Sequence, residues 1–274
     1  MGIYCFSKLS LYKINFPLTI LLYNSISNKY NFGNISIKEI KVGLYDREYI
    51  GRHASQSSYE QTQTKSSLGL FIKQTYQLFA ASLLAASSGA YVGIGFAESI
   101  ASWFFGLVIL EFALLFGLFA AKKKEGLNLI LLFGFTFVSG LTLAPLLSSI
   151  LGLPGGASIV ANAFMLTTVA FGGLSIFAMN TKRDFSTMGK MLFITLIVVV
   201  VAGLINIFLG SPILQLVIAS VSSILFSAFI LYDTQNIIRG AYETPIEGAI
   251  ALYLDFLNLF ISLLQILGIF GSDE

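Results

Sequence analysis

The chain has very little with which to face water. Only 11% of its 274 residues are Asp, Glu, Lys or Arg, less than half the share of about 25% found in soluble domains. With 56% hydrophobic residues and a mean hydropathy of +0.83, a water-covered surface is excluded and a membrane protein follows. There is one cysteine, Cys5, and one histidine, His53. That scarcity excludes a Cys/His zinc or iron centre and an intramolecular disulfide, and leaves little scope for a Ser-His-Asp triad. A net charge of +2 leaves no footprint for nucleic acid. Carboxylates and a few cations must carry any chemistry; no cofactor is expected.

What the chain does have is long apolar runs. A helix crossing the hydrocarbon layer needs about 20 mostly apolar residues, and seven such runs lie between Gly, Pro and charged punctuation: 76–96, 103–121, 127–151, 158–179, 191–209, 212–232 and 248–270. Connections such as KKKEG, GLPGG and GS leave no room for a soluble domain between spans. The expected fold is an all-α bundle of seven transmembrane helices.

Lys and Arg near span ends stay on the cytoplasmic side. Lys122, Lys123 and Lys124 occupy the second connection, Lys182, Arg183 and Lys190 surround the fourth, Arg239 lies in the sixth, and the other nine cations precede the first span. Seven spans with a cytoplasmic N-terminus and an outside C-terminus thus put all 16 cations on one side. A multi-pass protein of a bacterial inner membrane, in contact with the lipid bilayer, is the expectation.

Ahead of the bundle, residues 1–41 are crowded with Ile, Asn, Lys, Tyr and Phe, and their apolar run at 16–23 is too short to span. They read as a non-native or disordered extension with translation starting near Val42, a signal peptide being the alternative. Residues 42–73 form a polar cytoplasmic segment whose Ser-, Gln- and Thr-rich part, 44–72, reads as flexible. The transmembrane domain occupies 74–274.

Ionisable residues inside spans are functional candidates because a charge at the bilayer centre costs at least about 2.5 to 3.5 kcal/mol. Three qualify: Glu111, Asp233 and Asp255. Asp233 and Asp255 are equidistant from position 244 in the Glu243-Thr244-Pro245 turn, so the hairpin of the last two spans places them at one depth. Whether they face one another is not fixed by that count; if they do, two acids in a poorly solvated place share a proton and respond to pH, and their oxygens suit a hard divalent ion such as calcium, the alternative being a hydrogen-bonded lock between the helices. On the last span Asp255, Asn258, Ser262 and Gln265 recur at helical spacing along one face, which puts that helix inside the bundle. Such a stripe lines an ion path or hydrogen-bonds between helices. Glu111, about 16 Å deeper than Lys122 by helical rise, is either a second waypoint for a cation or a hydrogen-bonding partner of a neighbouring helix.

LYDTQNIIRG at 231–240 followed by AIALYLDFLNLFISLLQILG at 249–268 resembles the signature of the Bax inhibitor-1 (transmembrane Bax inhibitor motif) family. ILEFALLFGLFAAKKK at 109–124 and FTFVSGLTLAPLL at 135–147 resemble its second and third spans. The likeness runs over about 70–274 and implies a bacterial member with the last helix central and six others around it. It also implies a pH-sensitive calcium leak sensed by an aspartate pair matching Asp233 and Asp255. The family's latch on the first aspartate matches Lys122, a weaker clamp than the arginine of bacterial relatives, and its membrane acid matches Glu111. The expected function is therefore a calcium or cation leak channel, not an enzyme, gated by Asp233 and Asp255, which are also the candidate calcium ligands. The ion pathway is expected along Glu111, Asn258, Ser262 and Gln265. The alternative is a non-conducting interaction protein that regulates a membrane protease or a stress response. An intramembrane aspartyl protease is disfavoured because no Gly-x-Gly precedes Asp255 and no Pro-Ala-Leu motif follows.

Overall fold

The computed structural model describes residues 47–271. The described residues form α-helices α1 (Arg47–Ile94), α2 (Ala97–Ser102), α3 (Phe104–Ala121), α4 (Leu127–Leu151), α5 (Gly156–Asn180), α6 (Gly189–Leu209), α7 (Pro212–Ile238) and α8 (Pro245–Gly271), with a 3-10 turn at Ser186–Met188 and no strand. Seven helices are long and apolar enough to cross a membrane, the first of them over Ser67–Ile94 of α1. The all-α seven-helix bundle is as expected from the apolar runs.

Two boundaries differ. The stretch 44–72, read as flexible, is helical from Arg47 onward, because its Ser, Gln, Thr, Glu and Lys residues tolerate helix and propagate from the span that follows. The sixth apolar run stops at 232 by composition, but α7 continues to Ile238. Its last turns are polar yet buried, with Asp233, Thr234 and Gln235 each at most 3% exposed, so Asp233 lies inside the helix rather than at its end. The expectation for 1–41 lies outside the described residues.

Helix ends follow local chemistry. The Ser211 hydroxyl accepts from the Leu214 amide at 3.3 Å and Pro212 opens α7, a favoured N-terminal pairing. At α8 the sequence Thr-Pro-Ile-Glu closes a capping box: the Glu247 carboxylate accepts from the Thr244 and Glu243 amides at 3.2 and 2.9 Å, while the Thr244 hydroxyl accepts from the Glu247 amide at 3.4 Å. Gly210 ends α6 at φ +60, a conformation other residues resist.

The core is α8. Its 253–260 segment is buried all round, against α7, α5, α1 and, more lightly, α4. Four helices therefore pack on it directly, whereas α3 packs on α4 and α6 on α7. Where a central helix ringed by six is implied, the ring is of four with two outriders. The closest crossing is α1 with α4. A Cβ on Gly89 would stand 2.1 Å from the Phe137 carbonyl oxygen, one on Gly140 2.0 Å from that of Ala86, and one on Gly93 2.6 Å from Cβ of Ala144. Backbone touches backbone there, as small-residue crossings in membranes allow.

Candidate functional site

The polar side chains inside the bundle divide into groups on opposite sides of α8. On the side facing α7, the Asp233 and Asp255 carboxyl groups lie against each other and interact directly. Both residues are 3% exposed. The Tyr242 hydroxyl, folded back from the α7–α8 connection, donates to Asp233 Oδ1 at 2.7 Å. Asp255 Oδ2 is buried with no hydrogen-bond partner. The hairpin therefore brings the two acids together, with one oxygen left for a proton or a cation.

Further along the same face the stripe is present but occupied with itself. Asn258 Nδ2 donates to the Leu254 carbonyl at 2.6 Å and the Ser262 hydroxyl to the Asn258 carbonyl at 2.7 Å. Gln265 Oε1 accepts from Gln215 Nε2 at 2.5 Å, Gln215 Oε1 accepts from Asn206 Nδ2 at 3.0 Å, and Asn206 Oδ1 accepts from the Ser211 amide at 3.1 Å. This chain of amides ties α8, α7 and α6 at the end of the bundle away from the cationic loops. Gln215 and Asn206 went unnoticed in the sequence because an amide in a long apolar run carries no charge to mark it.

Glu111 belongs to the other side. It is 2% exposed and accepts from the Thr142 hydroxyl of α4. The Ser139 carbonyl, 2.9 Å from the same Thr142 oxygen, shares that hydroxyl's single proton with Glu111, and the Ser139 hydroxyl pairs with the Tyr253 hydroxyl of α8. Tyr253 and Asp255 are two residues apart, about 200° around the helix, so Glu111 does not line up with the stripe. Glu111 joins α3 to α4 and reaches the central helix through Thr142, Ser139 and Tyr253, on the side of α8 away from Asp255.

Lys122 is also placed differently from the latch the resemblance implies. Its Nζ lies 2.7 Å from Glu247 Oε1 and 3.0 Å from Glu243 Oε2, and Lys123 reaches Glu243 at 3.3 Å. It grips the capping box of α8, while Tyr242 takes the position on Asp233. A lysine stem just past the end of α3 meets the nearest carboxylates at the surface, where its charge stays partly hydrated. Burial draws the Lys122 ammonium down, but the hydrogen bonds and charge of Glu247 and Glu243 outweigh it and hold it above the ordinary lysine value. Glu243 is held below the usual glutamate range by Lys122 and Lys123. Nearby, Arg239 pairs with Asp184 at 2.5 Å, and the Ser186 hydrogen bonds together with Arg239 lower Asp184 to about 2.

A cavity of about 900 Å³ opens at this end, lined by Gln74, Gln77, Lys122, Asn128 and Glu243 among others. Among the described residues no group of three or more His, Cys, Asp or Glu is arranged to hold a metal ion. Two aspartates alone leave any calcium largely hydrated or held by carbonyl and amide oxygens, which suits passage better than tight binding.

The description "Inhibitor of apoptosis-promoting Bax1" belongs to the family model that matches residues 68–272. The chain belongs to the Bax inhibitor-1 family. A Campylobacter jejuni protein is 61% identical over 238 residues, covering 84% of this chain and 100% of the relative. A Vibrio cholerae membrane protein is 39% identical, covering 74% of this chain and 91% of its own length. The Golgi anti-apoptotic protein of vaccinia virus is 39% identical over 155 residues, 56% of this chain and 63% of that protein. The matched residues, 68–272, include every acid, amide and cation of the bundle described above.

Proposed function

We propose that this Bax inhibitor-1 family membrane protein is a cation leak for calcium, opened and closed by the proton shared between Asp233 and Asp255. The supporting observation is the contact of two buried carboxyl groups from different helices with one oxygen unpartnered. When the pair holds a proton, α7 and α8 are joined by a hydrogen bond; when both acids ionise, like charges in a poorly solvated place repel and loosen α8. A cation is then drawn to the oxygens that have lost their proton. It enters from the polar cavity at the cationic end, passes the pair and follows Asn258 and Ser262 to Gln265. The Gln265–Gln215–Asn206 hydrogen bonds close the far end. In this reading the cationic loops are cytoplasmic, the membrane is a bacterial inner membrane, and no catalytic step is involved.

One observation favours a second reading, a non-conducting partner of another membrane protein such as a protease. Asn258 and Ser262 hydrogen-bond to carbonyls of their own helix, as polar side chains packed into a closed interior do. Calcium entry into liposomes holding the purified chain decides between them. Flux above that of protein-free liposomes supports the leak; no flux, with a stoichiometric partner on purification from native membranes, supports the second reading.

A further inference from the structure

A groove of about 470 Å³ opens on the flank of the bundle between α1 and α5. Both helices pack on α8 and meet each other at the stacked rings of Phe79 and Phe171, with centroids 4.8 Å apart, outside the groove. Small residues make the space: Ala86 and Ala90 on α1, Ala157 and Ala161 on α5. The floor is the central helix itself, from Tyr253 to Phe260, continued by the apolar end of α4.

Depth and direction are set by the helices. The groove follows the last part of α1, the last part of α4 and the first part of α5, so it occupies the half of the bundle away from the cationic loops. From Ala86 to Ile94 it runs about 12 Å by helical rise, close to half of a hydrocarbon layer about 30 Å thick. Tyr91, 82% exposed, stands on its wall toward the rim, at the level where aromatic side chains meet headgroups. The polar atom at the floor, the Tyr253 hydroxyl, is already paired with Ser139, so nothing there calls for a polar ligand. An apolar slot of this length, open sideways at hydrocarbon depth, cannot stay empty without loss of packing.

We infer that the groove binds one acyl chain of a phospholipid from the leaflet away from the cationic loops, laid along α8 between α1 and α5. The chain packs on Phe256, next to Asp255 in sequence, and supports α8 from the side that α7 does not cover. This site does not depend on the protein's conducting ions.

The probe is a phosphatidylethanolamine carrying a mid-chain diazirine, doped into phosphatidylethanolamine/phosphatidylglycerol nanodiscs holding the full chain. After irradiation, adducts are mapped by peptide mass spectrometry. The groove residues Leu83 and Phe164 should label about tenfold more than Val198 and Val201, at matching depth on the exposed face of α6, the ratio that about 1.4 kcal/mol of preferential residence gives. Ala161→Trp and the milder Ala90→Leu fill the slot, and each should bring groove labelling down to the α6 level without altering α6. Equal labelling of groove and α6 in the wild type overturns the site, whether or not either variant folds. So does an excess that survives in a folded filled variant.

Discussion

At the scale of single residues, buried acids differ by what faces them. Asp233 faces another acid and Glu111 faces a hydroxyl, so the first is suited to titrate with its neighbour and the second to hold helices together. Thr142→Val removes the donor to Glu111 while keeping the shape of the side chain. It should lower stability by about 1 to 3 kcal/mol, the cost of a buried polar group left unpaired, read as a lower melting temperature in detergent with the pH response of any flux unchanged. The loop ion pairs give a sign for pH. Glu243 and Asp184 have depressed folded-state values, so the stability they contribute is full above the unfolded carboxylate value and is lost only as pH falls through the folded one. Lys122 is raised, and its contribution is lost only as pH rises above the ordinary lysine range. None of the three titrates between about pH 5 and pH 8. Lys122→Gln should therefore shift flux by a similar factor at every pH in that window, leaving the midpoint of the pH profile in place.

The elements show which parts of the fold were open to reading from sequence. Length and apolarity give seven spans, and the spacing of polar residues identifies the interior helix, because both are one-dimensional properties. The α1–α4 crossing was not read from the sequence: Gly89-x-x-x-Gly93 does not name the helix it meets, which shows only when carbonyl oxygens are found where Cβ atoms would stand. Gly140→Val and Gly89→Val should each push α1 from α4 and abolish recovery of monodisperse protein. Gly172→Ala and Gly173→Ala, with nothing within 4 Å of the new atom, should purify normally by size-exclusion chromatography. At the start of α8 the cap is Thr244, and Thr244→Ala should cost about 1 kcal/mol, measured as a drop in thermal stability. The latch shows what sequence did not reveal. Lys122 sits where the resemblance places a partner for Asp233, but its length and hydration take it to Glu247, and Tyr242 takes that place from a connection with no periodicity to read.

For the whole molecule, the scarcity of charge sorts the side chains into places. Cations gather in loops at one end, where Glu243, Glu247 and Asp184 meet them. The acids left inside hold α8 on two sides, to α7 directly and to α4 and α3 through Tyr253, Ser139 and Thr142. The common depth of Asp233 and Asp255 was legible because both belong to one hairpin, whereas their facing each other depends on the rotation of the two helices, which distance from the turn does not fix. The separation of Glu111 was not legible, since the rotation of α3 and α4 around α8 is set by packing among helices distant in sequence. The central claim is that the aspartate pair makes conduction depend on pH. It is tested most directly by calcium entry into liposomes from about pH 5 to about pH 8, comparing the wild type with Asp233→Asn and Asp255→Asn. The account predicts wild-type flux that rises with pH as the pair loses its shared proton, and a flat profile in both variants. Wild-type flux without pH dependence, or the same pH profile in both variants, would contradict it.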